Sequence, residues 1–258
     1  MEPIKIIFFD VDGTLVDMKK KEISENTVHT LQQLRQRGIR ICMATGRTPV
    51  TVPHFPGVEF DAYLTFNGSY CYDREGVIFS NPIDSEDVLR LIDNAAAIGR
   101  PVSIATRDRV TANGWDAELE MYYGFAHIPL ETHDDFPQVA RQEVYQVMLA
   151  CDQSDHPALL EGVKGAKITG WWDRAVDIIP AKSGKGRGVE AILQHYGLTR
   201  QQAMAFGDGN NDIELLQAVG WGVAMENASP QLKAVASDTC GHVADDGIYH
   251  YCRQKDLI

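Results

Sequence analysis

The sequence predicts an α/β protein in which a parallel-sheet core is interrupted by an α+β insert. Three observations carry this reading. Residues Ile4 to Phe9 form an apolar, β-branched run of strand length. Strand and helix patterns alternate before about residue 82 and after about residue 180, as parallel sheets require. Between those points, short strand candidates separated by loops replace the alternation. With 258 residues, a core plus one insert is also what about 150 residues per domain suggests.

The elements follow in order. Ile4 to Phe9 reads as a strand buried on both faces, with a loop beginning at Asp10. Ser24 is a helix N-cap, Val28, Leu31 and Leu34 form the apolar stripe, and Gly38 stops the helix before a strand at Ile39 to Met43. Ala62 to Phe66 is a third strand, and Asn67-Gly68 is a hairpin signal leading into Tyr70 to Tyr72. The insert opens with a helix at Asp84 to Ala97. It continues with strands at Pro101 to Ala105, Val144 to Ala150, Ala166 to Thr169 and Ala175 to Ile179, and helical pieces at Asp116 to Tyr123 and Pro157 to Val163. Alternation resumes with a helix at Gly184 to Tyr196, a strand at Ala203 to Phe206, a helix at Asp212 to Ala218 and a strand at Trp221 to Ala224. The expected domains are a core of residues 1–81 and 181–258 and an insert of residues 82–180.

Lys and Arg number 24 against 36 Asp and Glu, a net charge of −12. That balance argues against nucleic acid or an anionic membrane as partner, and leaves room for an anionic small molecule only where local cations or a metal overcome the field. The five cysteines, odd in number and without C-x-x-C spacing, read as reduced thiols of a cytosol-like compartment. No basic leader and no apolar stretch approaching 18 residues is present, so neither secretion nor membrane spanning is expected.

Four groups of residues carry chemistry. Asp10-Val11-Asp12-Gly13-Thr14 follows the most apolar strand, where an open parallel sheet presents its ligands. Its paired carboxylates suit metal binding or acid–base work, or else form a solvated acidic turn. Gly207-Asp208-Gly209-Asn210-Asn211-Asp212 also follows an apolar strand. Asp10, Asp208 and the carbonyl of Asp12 suit Mg²⁺, unless Asp208 and Asp212 merely cap a helix. Thr45-Gly46-Arg47 puts a hydroxyl, a flexible backbone and a guanidinium at another strand end, able to bind phosphoryl oxygens. Lys185 opens a helix, whose N-terminus already favours an anion. Neither a Walker A loop nor a dinucleotide fingerprint is present: Gly186 stands at the Ser/Thr position of the first, and Asp212 replaces the third glycine of the second.

In this order the four groups resemble the motifs of the haloacid dehalogenase-like (HAD) superfamily: D-x-D-G-T, a Thr, a Lys and G-D-G-x-N-D. The long insert, the A-T-G-R wording and the Asn67-Gly68 turn are similar to its Cof-type (IIB) subgroup. The resemblance implies a Rossmann-like core with an inserted α+β cap. It implies a Mg²⁺-dependent phosphatase acting on a small phosphorylated metabolite, a sugar phosphate or a phosphorylated polyol or ring compound, through an aspartyl phosphate. Asp10 would be nucleophile and metal ligand. Asp12 would be acid–base, its carbonyl on the metal. Thr45, Gly46, Lys185 and Asn211 would hold the phosphoryl group; Asp208 would ligate the metal, with Asp212 behind it. Arg47, Tyr123 and Trp171 are the candidates for substrate contact, the two aromatics having cap-core packing as their alternative. A phosphotransferase or sugar-phosphate mutase on the same core, and a non-catalytic regulatory binding protein, are the rival functions. A cytoplasmic monomer or weak dimer is expected.

Overall fold

A computed structural model describes residues 2–126, 129–172 and 174–258, the side chains of 125, 126 and 170–172 excepted. The chain divides into two compact units. One comprises Met1–Gly46, Pro53–Ser80 and Gly184–Ile258, the other Arg47–Val52 and Asn81–Ser183.

The first unit begins with β1 (Ile6–Phe9), all four residues fully buried. The short strands β2 (Val16–Asp17) and β3 (Glu22–Ile23) then pair antiparallel with each other as a small flap. In α1 (Glu25–Gln36) the Ser24 hydroxyl accepts the Thr27 N–H, and Leu31 and Leu34 turn inward. Burial of each leucine contributes about 1.5–3 kcal/mol. Strand β4 (Arg40–Ala44) follows, then β5 (Ala62–Thr65), β6 (Tyr70–Asp73) and β7 (Gly76–Ser80).

The second unit contains α2 (Ser85–Ala97), β8 (Ser103–Ala105), β9 (Val110–Ala112), α3 (Ala117–Ala126), α4 (Phe136–Val139), β10 (Gln146–Ala150), α5 (His156–Leu159), β11 (Ala166–Trp172) and β12 (Ala175–Pro180). Its strands form one antiparallel sheet in the order β11-β12-β10-β8-β9. Ile104, Val147, Leu149, Val176 and Ile178 cluster with Val88, Leu91 and Ala95 of α2. On the alternate positions of the same strands lie polar groups. Asp177 accepts a hydrogen bond from the Tyr122 hydroxyl at 2.5 Å, and Ser103 bonds the Tyr123 hydroxyl.

The chain returns to the first unit with α6 (Lys185–Tyr196), β13 (Ala203–Gly207), α7 (Ile213–Ala218), β14 (Trp221–Ala224), α8 (Pro230–Val235), β15 (Asp238–Thr239) and α9 (Gly247–Gln254). Its sheet has the order β15-β14-β13-β1-β4-β5-β6-β7. The six strands from β15 to β5 are parallel; β6 and β7 are added antiparallel. This order seats β1 centrally between β13 and β4, which explains why its residues are apolar at every position. Phe9 and Phe206 stack across the β1–β13 pair with ring centroids 5.3 Å apart.

Asn67-Gly68 does turn the chain from β5 into antiparallel β6: Thr65 and Tyr70 close a four-residue loop in which Phe66–Gly68 coils into a short 3₁₀ turn. One local expectation is corrected. The piece expected at Pro157 to Val163 is the single turn of α5, ended before the left-handed Gly162. The five cysteines are all free and buried. No helix among the described residues is long and apolar enough to cross a membrane.

Candidate active site

Parallel strands end at one edge of a sheet, so residues that immediately follow neighbouring strands become neighbours. Asp10 follows β1 and its N–H still donates to the Phe206 carbonyl of β13 at 3.0 Å. Thr45 follows β4 on one side, and Asp208 follows β13 on the other. The order β13-β1-β4 thus brings Asp208, Asp10 and Thr45 together from distant parts of the sequence.

Lys185, the first residue of α6, is 1% exposed and supplies the cation. Its Nζ donates to Asp10 Oδ1 at 2.6 Å and to Asp212 Oδ1 at 2.5 Å. The other oxygen of Asp212 accepts the backbone N–H groups of Asp208 and Gly209, each at 3.0 Å. Asp212 is therefore fully used within the protein: it orients Lys185 and folds the loop that carries Asp208.

Charge is unevenly matched here. Burial opposes the charge on Lys185, but the carboxylates of Asp10 and Asp212 outweigh it and hold the ammonium protonated above the usual lysine range. Burial, and then the negative charge of Asp212, push the Asp10 carboxyl well above its ordinary value; Lys185 only partly offsets this. For Asp208, burial and Asp212 raise the carboxyl to about 7. Three carboxylates share one ammonium, an excess of negative charge that a cation would relieve. Asp10, Asp208 and Asp212 each bring an oxygen within 4.8 Å of the others, a set able to hold a metal ion. An all-oxygen donor set fits a hard divalent cation.

The turn after β1 is held tightly. The Val11 carbonyl accepts N–H groups from Thr14, Leu15 and Val16, and half-buried Asp12 lies within this loop. Gly13 has φ +90°, and a methyl group there would overlap the Asp208 carboxylate. Two residues without an assigned role in the sequence reading join this arrangement. Thr14 Oγ1 donates to Asp208 Oδ1 at 3.0 Å. Asn227 Nδ2 donates to the Gly13 carbonyl at 2.8 Å and approaches Asp208 Oδ2 at 3.4 Å. Asn227 comes three residues after β14, so the strand-end rule that marks Asp10 and Asp208 also points to it.

The remaining expected residues fall as follows. Thr45 is 1% exposed, and its N–H donates to the Leu64 carbonyl at 2.8 Å. Gly46 lies against the carboxamide of Asn67, which accepts a hydrogen bond from Asn211 Nδ2 at 3.2 Å. Arg47 belongs to the second unit, where its guanidinium donates to the Thr51 carbonyl at 3.3 Å. Tyr123 is 4% exposed inside that unit, its hydroxyl engaged by Ser103 and Met148. The side chain of Trp171 lies outside the described residues.

Residues 7–252 match a family profile described as haloacid dehalogenase-like hydrolase. The HMP-PP phosphatase of Citrobacter koseri is 30% identical to the chain, covering 96% of it and 94% of the relative. Among solved structures, the phosphatase BT1666 from Bacteroides thetaiotaomicron superposes with a TM-score of 0.90 at 28% identity, covering 99% of this chain and 96% of that one. The HAD subclass IIB sugar phosphatase BT4131 superposes with a TM-score of 0.87 at 27% identity, over 98% of this chain and all of the other.

Proposed function

The chain belongs to the haloacid dehalogenase-like hydrolases, and from that premise we propose that it is a phosphatase hydrolysing a small phosphomonoester through a phosphorylated Asp10. One observation carries the reading: a fully buried lysine bridging Asp10 and Asp212 beside Asp208, at the carboxyl ends of parallel strands. A carboxylate and a phosphate dianion repel each other, so a site that joins them must supply positive charge in advance.

In the proposed reaction an oxygen of Asp10 attacks phosphorus, and the bond from phosphorus to the leaving oxygen breaks. Asp12 gives that oxygen a proton. It then takes a proton from the water that attacks the aspartyl phosphate, which regenerates Asp10 and releases inorganic phosphate. Thr45, the Gly46 backbone, Asn211 and Lys185 hold the phosphoryl oxygens. Asp10, Asp208 and the Asp12 carbonyl would hold a divalent cation, Mg²⁺ by its preference for oxygen ligands, and bound there it would neutralise charge on the phosphoryl group.

The relative named for HMP-PP and the neighbour named as a sugar phosphatase support a small phosphorylated ring compound or sugar phosphate as substrate. Five free thiols fit a reducing compartment, and we place the reaction in the cytoplasm. The test is release of inorganic phosphate from a panel of sugar phosphates and phosphorylated ring metabolites with Mg²⁺ present. Hydrolysis of at least one is expected. Phosphate appearing on an acceptor and never in solution would assign the rival phosphotransferase; no reaction with any member would overturn the enzyme reading.

A further inference from the structure

The turn Phe66–Gly68, after β5, lies at the same sheet edge as Asp10 and Thr45. Phe66 and Asn67 both have left-handed backbone, with φ of 50° and 51°, a conformation that glycine adopts without strain. Gly68, at φ +92°, has no room for a side chain because the Gly184 carbonyl and the Lys185 N–H pack against it. The turn therefore seats the N-terminus of the helix that carries Lys185. A turn required only for that purpose would be served at least as well by glycine at position 67.

Asn67 carries a carboxamide instead, and it is 3% exposed. Its N–H donates to the Thr45 carbonyl at 3.1 Å, and its Oδ1 accepts from Asn211 Nδ2 at 3.2 Å. Its Nδ2 lies 3.0 Å from the point a Cβ on Gly46 would occupy. Among the described residues that Nδ2 has no acceptor. The fully buried side-chain atoms without a partner are Ser69 Oγ and Gln146 Oε1, so Asn67 Nδ2 keeps contact with solvent, and a ligand oxygen can take the place of water there. Here it stands between Gly46 and Asn211, two of the positions assigned to the phosphoryl group.

We propose that Asn67 is a further substrate-binding residue, donating a hydrogen bond from Nδ2 to a phosphoryl oxygen of the substrate. The inference rests on the phosphatase reading above. It assigns Asn67 two tasks: Oδ1 fixes the side chain of Asn211, and Nδ2 meets the anion.

The test compares wild type with Asn67→Gly and Asn67→Asp on one aryl phosphate, with inorganic phosphate as competitive inhibitor and melting temperature measured on the same preparations. Asn67→Gly keeps the left-handed turn and removes the donor together with the Oδ1 that holds Asn211. It should melt no lower than wild type, lose about 10- to 100-fold in kcat/KM and weaken inhibition by phosphate by a similar factor, the size of a lost hydrogen bond to a charged group. Asn67→Asp keeps an acceptor for Asn211 and sets a carboxylate against the anion, so its loss should exceed that of the glycine variant. If Asn67→Gly, or Asn67→Asp should the glycine variant melt early, retains wild-type kcat/KM and phosphate inhibition, Asn67 is a turn residue only. If wild type itself releases no phosphate, the phosphatase reading fails and the inference falls with it.

Discussion

Lys185 Nζ lies 2.5 Å from Asp212 Oδ1, while the second oxygen of the same carboxylate accepts the N–H groups of Asp208 and Gly209. One side chain thus links the cation of the site to the shape of the loop that presents Asp208. Asp212→Asn keeps the size of the group but gives up the charge. It should lower kcat about 10- to 100-fold, as the loss of one charged hydrogen bond predicts, and raise the Mg²⁺ concentration needed for half-maximal activity. An unchanged Mg²⁺ requirement would separate the loop from the lysine.

Asp10→Asn should lower turnover at least about a thousandfold, because an amide cannot act as the nucleophile. Folding should survive. Burial and the neighbouring Asp212 already disfavour a charged Asp10, so a neutral group of the same shape should leave the melting temperature equal or higher. Steady-state phosphate release and a thermal melt check both halves, and residual turnover within tenfold of wild type would remove Asp10 from the nucleophile's place.

Burial, and then the charge of Asp212, raise the Asp208 carboxyl to about 7, above the ordinary carboxylate value. The native state therefore keeps a proton that the unfolded chain has released, and stability should fall as pH rises from about 4 to about 7. Mg²⁺ competes with protons for the same oxygens. Added to chelated protein at pH 7.5 it should raise the melting temperature, and the increment should shrink toward pH 5. An increment independent of pH would exclude Asp208 as a ligand.

Gly13→Ala should damage the site and the fold together. The new methyl group meets Asp208, and the backbone at φ +90° is one that alanine rarely adopts. The strained backbone alone should cost about 1–3 kcal/mol in denaturant unfolding. Activity should fall further than stability explains, because the displaced carboxylate also receives Thr14. A stable, active alanine variant would show that the loop can move aside.

The site was more legible in the sequence than its surroundings. Asp10, Thr45 and Asp208 each follow a short apolar run, and a buried parallel strand has few other sequence signatures. Trp221 to Ala224 was readable for the same reason. Strand β7 was not: Gly76–Ser80 lies at an open sheet edge, with exposed or half-buried residues and no alternation to betray it. Nor were β9 and β15, where three and two residues leave no period to detect. Asn67 reads first as half of a hairpin turn, with ligand as the lesser alternative, and the hairpin between β5 and β6 is there. Its carboxamide gains meaning only when Gly46 and Asn211, remote in sequence, arrive beside it.

The central place of β1 has a consequence for how the chain comes into being. Thr14 and its partner Asp208 are separated by 194 residues. At a ribosomal rate of about 5–20 residues per second, the first strand waits on the order of ten to forty seconds for its β13 neighbour. During that interval one long side of a wholly apolar strand is without its partner, the kind of edge that recruits other chains. The insert is made within the same interval and has its own sheet and hydrophobic cluster. A chain released before Ala203 would therefore lack the β13 neighbour of β1, and its sticky edge would be Ile6 to Phe9.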